Sequence, residues 1–273
     1  MNAKVTWTLS NRGRHIRIPA VTIGLYFTFL IMASSFRFAS AQADMTELKD
    51  TNPAARHLVS VNQLLTPEKA RKALEKAKDA ILRGRYEDAQ NQLKRALDIF
   101  PDCAIAFALQ GLIKEESGDI PEAAHSFQQA IDADPSLGAA YLGLGQSYNL
   151  QHRYSEAQIP LDRATALMPS AWLVHVEAAT AKLGTRDSDA GLKELALAEQ
   201  FIEDDPNARS EVAYLQGVAH QQLKDYVQAK GDLEKSIKYD RGGRYAPLAR
   251  KAMDELSKYL GRTETTSQAS TSK

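Results

Sequence analysis

The chain has 273 residues, 44% of them hydrophobic and 25% charged, an ordinary globular composition with enough length to bury a core. Basic and acidic side chains balance at 34 each, but Lys4, Arg12, Arg14, Arg17 and Arg37 fall within residues 1–43, which hold no acidic residue. The remaining 29 basic against 34 acidic side chains repel phosphate backbones, which argues against nucleic acid as a partner.

Residues 1–43 open with a basic lead, Lys4 to Arg17, followed by an uncharged run from Ile18 to Ala33 and the small-residue triplets Ala39-Ser40-Ala41 and Ala41-Gln42-Ala43. This is the plan of a secretory signal peptide, with cleavage after Ala43. The apolar stretch can be extended to Phe36, so an uncleaved signal anchor is the competing reading. No cysteine stands there to carry a lipid. In both readings the remainder is exported, to the periplasm or cell envelope of a bacterium, with the inner membrane touched only by an uncleaved N-terminus. Residues 44–66 read as a linker, or as a segment lying in a groove of the body, and Thr66-Pro67-Glu68 starts the first helix.

From there the sequence repeats with a period of 34. Pro101, Pro135 and Pro169 keep that spacing, as do Ala96, Ala130 and Ala164, then Ala89, Ala123 and Ala157, then Leu93, Phe127 and Leu161. Gly111 and Gly145, with Ala77 one period earlier, form a fifth series. Small residues at these places suit the close approach of two helices, a large one fills the gap between neighbouring hairpins, and proline ends the second helix. Gly84 and Gly118 fall between helices, Pro121 sits in a first turn, and Ser155-Glu156 reads as a helix start.

The copy Tyr141-Leu142-Gly143-Leu144-Gly145-Gln146-Ser147-Tyr148, continued by Ala157, Leu161, Ala164 and Pro169, resembles the tetratricopeptide repeat. The resemblance implies an all-α fold, a right-handed α-solenoid of helix-turn-helix hairpins with a C-terminal capping helix. Its repeats are expected at about 70–103, 104–137, 138–171, 172–209 and 210–243. Ala73, Ala80 and Lys114 depart from positions that are usually aromatic. In the fourth copy Glu203 replaces the closing proline, and the step from Ala179 to Gly217 is 38, so Glu203 to Asn207 reads as a loop with four extra residues. Tyr245, Leu248, Ala249, Ala252, Met253, Leu256, Tyr259 and Leu260 then give a cap helix over 244–260, which completes a repeat domain of 67–260. Gly261 is expected to end that helix, with a disordered tail over 261–273.

Little in the sequence suggests catalysis. Cys103 is the single cysteine, which rules out an internal disulfide and a cysteine metal framework; it reads as a small buried side chain, against an activated thiol at a helix start. None of the six histidines stands four residues from another, and the glycine-rich Leu142 to Gly145 lies within a helix, so no metal or cofactor is expected. His175 and His220 are placed facing a neighbouring helix, and His152 in a turn.

The remaining candidate is the inner wall made by the first helix of each hairpin. Lys78, Leu112, Leu142, Gln146, Asn149, Val176, Tyr214 and Val218 are the residues assigned to a partner groove, with Gln146 and Asn149 able to bond a partner's backbone. About half of the apolar positions on that wall are expected to be core between repeats. Leu74 stands where the clamp of chaperone-binding repeats has its first lysine, so that activity does not carry over. The expected function is a non-catalytic scaffold that holds a protein or peptide in the groove, with an envelope-assembly or secretion subunit working through the convex face as the alternative. Alanine at Leu142, Asn149 and Tyr214 is expected to abolish capture while leaving melting intact.

Overall fold

The computed structural model describes residues 61–241 and 243–271. The export segment, its cleavage site and residues 44–60 lie outside the described residues. Within them the chain is helical throughout, with no strand. After a short turn, α1 (Val61–Leu65), come five hairpins. The first three are α2 (Glu68–Leu82) with α3 (Tyr86–Ile99), α4 (Ala104–Glu116) with α5 (Ile120–Ala133), and α6 (Gly138–Leu150) with α7 (Tyr154–Leu167). The last two are α8 (Trp172–Gly184) with α9 (Ser188–Phe201), and α10 (Pro206–Gln222) with α11 (Tyr226–Tyr239). A final helix, α12 (Tyr245–Thr271), covers the end of the stack.

Each hairpin turns the same way. One residue in the turn takes a left-handed conformation, Gly84, Gly118, His152, Arg186 and Lys224 in order, with φ between 60° and 83°. The next residue's N–H then bonds a carbonyl five places back: Arg85 to Ala80, Asp119 to Lys114, Arg153 to Tyr148, Asp187 to Lys182 and Asp225 to His220, at 2.8–2.9 Å. This closure ties off carbonyls that the end of a helix leaves without a partner.

The 34-residue series become packing. Ala89, Ala123, Ala157 and Ala229 are fully buried, and so are Ala96, Ala130, Ala164 and Ala198. The core runs as buried clusters along the stack; Leu112 packs against the clusters of the first and second hairpins, and Tyr214, Leu215 and Leu233 share the last cluster with Tyr245, Ala249 and Ala252 of α12. First helices approach one another from hairpin to hairpin more closely than second helices do, which puts α2, α4, α6, α8 and α10 on the inner side of the curve.

Three expectations change. The four extra residues near Glu203 do not lengthen a loop: the connection Ile202 to Asp205 is as short as the others, and α10 has 17 residues where α4, α6 and α8 have 13. Asp205 and Pro206 explain this, because the Asp205 carboxylate accepts from the N–H of Asn207 and Ala208 at 2.8 and 3.1 Å and proline fits the first helical position. Gly261 does not end the last helix, which continues to Thr271; one internal glycine costs only about 1 kcal/mol and no proline follows it. Where a linker is expected, Val61–Leu65 forms a helical turn held by the loops between hairpins. Asn62 Nδ2 donates to the carbonyl of Asp102 at 2.6 Å, and its Oδ1 accepts from the N–H of Ala104 at 3.3 Å.

Candidate binding surface

The inner wall is uneven. On α2, α4 and α6, Lys78, Ile105, Leu112, Ala139 and Leu142 keep part of their surface open, and on α10 Val218 and Gln221 do so. Between them α8 offers almost nothing: every residue from Leu173 to Ala181 is buried. Its small residues Ala178, Ala179 and Ala181 let it sink among its neighbours, so the groove does not run through the fourth hairpin.

The eight assigned residues therefore divide. Lys78 is half exposed and bonds Glu75 at 3.1 Å. Leu112 and Leu142 are partly open, and Leu142 also packs against the cluster of Ala157, Leu161, Ala178 and Ala181. Val218 is partly open beside the last cluster. The other four are inside. Val176 has no exposed surface and Gln146 is buried. Tyr214 is buried with its ring 5.8 Å from that of Tyr245, and burial, followed by the charge of Glu255, pushes its phenol up to about 12. Asn149 is 3% exposed, and its Nδ2 donates to the carbonyl and to Oε2 of Glu177 at 3.0 and 2.9 Å. These four are buried between hairpins, so alanine at Asn149 or Tyr214 is now expected to lower the melting temperature, where the sequence alone led to the expectation of intact melting.

The sequence reading missed a polar rung between the two helices of a hairpin. Lys114, Lys182 and His220 occupy one repeat position on first helices, and Ser126, Glu194 and Asp232 one position on second helices. Lys114 Nζ donates to Ser126 Oγ at 2.9 Å, Lys182 pairs with Glu194, and His220 Nδ1 lies 2.7 Å from Asp232 Oδ2. The signal was present in Lys114, a cation where an aromatic usually stands. In the third hairpin Tyr148 holds that place, with the Arg153 guanidinium 4.4 Å from its ring centre.

Among the described residues no group of three or more His, Cys, Asp or Glu side chains is arranged to hold a metal, and no helix is long and apolar enough to cross a membrane. Cys103 is fully buried, and burial raises its thiol against the lowering influence of backbone bonds from Ala106 and Ile105, the opposite of activation. A shallow cleft of about 530 Å³ lies at the loops between hairpins, where Asn62, Phe100, Asp134 and Arg163 meet.

A tetratricopeptide repeat family model matches residues 74–113 and 108–171. No curated protein matches the sequence. Similar solved structures include MamA from Desulfovibrio magneticus RS-1, residues 41 to the end, 17% identical with a TM-score of 0.56 over 65% of this chain and 98% of that one. A protein from Thermus thermophilus described as a thermophilic TPR protein is 18% identical, with a TM-score of 0.54 over 67% of this chain and 98% of its own. YrrB, described as a TPR protein with an unusual peptide-binding site, is 20% identical, with a TM-score of 0.53 over the same shares. At these identities the likeness is one of fold, and the fold suggests a protein-protein interaction scaffold of a generally non-catalytic kind. With the family match over hairpins that carry its spacing, residues 74–171 of the chain are tetratricopeptide repeats.

Proposed function

We propose that this chain is an exported, non-catalytic scaffold that holds a protein or peptide partner on the inner face of its first three hairpins. One observation carries the reading: Ile105, Leu112, Ala139 and Leu142 leave apolar surface open on successive first helices, with Lys78 at the end of the row. Such a row suits an amphipathic helix or an extended apolar peptide. Export is supported by the basic lead, the uncharged run and the small-residue triplets of residues 1–43. The mass of the mature chain from an envelope fraction distinguishes cleavage after Ala43 from a retained anchor.

A second reading places the partner on the convex side, where Ile159 is 78% and Val227 83% exposed on second helices. Photo-crosslinking amino acids at Leu112 and Leu142, compared with Ile159 and Val227, separate the two. Adducts from the first pair support the inner face. Adducts confined to the second pair overturn it.

A further inference from the structure

His175 sits at the joint between the third and fourth hairpins, away from the open row of the binding surface. It is buried on α8, with Nδ1 2.8 Å from Glu194 Oε2 on α9 and Nε2 2.9 Å from the carbonyl oxygen of Pro169 in the connection from α7. Its ring stacks on Phe201, centroids 5.8 Å apart and planes 20° from parallel. Both atoms that face the ring nitrogens are acceptors. A neutral imidazole has one N–H, so it satisfies one of them and sets a lone pair against the other. Only the imidazolium donates to both.

The surroundings are built for that cation. The charged groups facing it are Glu194 from α9 and Lys182 from α8 itself, while the connection after α7 supplies the neutral Pro169 carbonyl. That carbonyl follows the C-terminal end of α7, where the helix dipole favours positive charge. Glu194 is held ionised: the His175 bond first, then Lys182, outweigh burial and bring its carboxyl down to about 2.

We propose that His175 is a proton-operated latch: as the imidazolium it ties the α7–α8 connection to α9, and loss of its proton frees Pro169 and loosens the fourth hairpin against the third. The departing proton goes to solvent. The remaining N–H stays with the Glu194 carboxylate, the stronger acceptor, so the contact given up is the one to Pro169.

The direction of the pH response follows from the balance at the ring. Burial, the largest single influence, favours the neutral form, and Lys182 acts the same way; the bonds to Glu194 and Pro169 and the carboxylate's charge outweigh them, so the ring titrates above its ordinary 6.5. A group raised on folding adds stability that is complete below 6.5 and is lost as pH climbs through the raised value. The latch is closed in acid and opens toward alkali.

The test is a proton and nitrogen NMR titration of the full chain through the neutral range. The His175 ring should titrate above 6.5, and the amides of Ala171 and Val174, which bond within the connection, should shift with the same midpoint. Glu194→Gln should lower that midpoint by about one unit or more. His175→Gln, whose amide donates at every pH, should remove the inflection from those amides. A ring that titrates at or below 6.5, or connection amides that ignore its titration, would overturn the latch; if His175→Gln fails to fold, Glu194→Gln gives the same reading.

Discussion

The ring of Phe127 fills the space in front of Gly143: a Cβ placed on Gly143 would stand 2.4 Å from Cε1, and one on Gly111 would stand 2.8 Å from the same atom. Phe127 on α5 is thus seated between the backbones of α4 and α6, one helix of its own hairpin and one of the next. Gly143→Ala is expected to destabilise the protein by about 1–3 kcal/mol, because the ring must shift in a packed core. Gly231→Ala, also within a helix but with nothing within 4 Å of the added atom, should stabilise by up to about 1 kcal/mol. Urea midpoints of the two variants should move in opposite directions; parallel shifts would mean that packing does not decide the cost.

The left-handed turn position gives a second prediction. Gly84 and Gly118 adopt it without a side chain to clash, whereas Lys224 holds φ 64° with one. Lys224→Gly relieves about 1–2 kcal/mol of local strain and gives back part of that to the freedom of the unfolded chain. A net gain of about 1 kcal/mol should appear in thermal unfolding, and a loss there would show that the turn is not strained.

How much of this was legible in the sequence varies with the kind of residue. Ala96, Ala130, Ala164 and Leu93, Phe127, Leu161 announce the hairpins because close approach admits few side chains, and each is buried where the period puts it. The groove was less legible. Val176 occupies an inner-wall position by its place in the repeat, but its exposure depends on how far α8 sinks, and Ala178, Ala179 and Ala181 set that depth from other faces of the helix. The period is silent there, because it fixes direction and not depth. The extra turn of α10 was written in Asp205-Pro206, a helix start that the missing closing proline at Glu203 obscured.

Asn149→Ala shows what the burial of assigned groove residues means in practice. The change removes two bonds to Glu177, one of them to a carboxylate, between two buried side chains. The expected loss is about 2–3 kcal/mol of stability. Circular dichroism melts should register it before any binding assay does. A variant that melts like the parent would return Asn149 to the list of residues available to a partner.

Cys103 should be silent toward thiol reagents. Its side chain has no exposed surface and its thiol is raised by burial, so little thiolate exists at neutral pH and none is reachable. A disulfide reagent should label it at the rate at which the first hairpins open, and rapidly in denaturant. Immediate labelling of the native chain would contradict the packing between α2, α3 and α4.

The cap helix gives the last prediction, through the contacts of residues 245–260. Tyr245, Ala249, Ala252 and Leu256 are buried, the first three in one cluster with Tyr214, Leu215 and Leu233, and the rings of Tyr226 and Tyr259 meet at 5.5 Å. A chain ending after Arg244 exposes that cluster and should lose at least about 3 kcal/mol, judged from the burial of one leucine and one tyrosine. A chain ending after Leu260 keeps all of these residues and sheds a stretch whose one apolar side chain is Ala269, so it should stay within about 0.5 kcal/mol of the parent. In a stack where each hairpin leans mainly on its neighbours, the chain ending after Arg244 should also confine the damage. Hydrogen exchange should quicken in α10 and α11 while α2 to α5 keep their protection. Loss of protection spread evenly over all five hairpins would show instead that the stack unfolds as one unit and that α12 supports the whole of it.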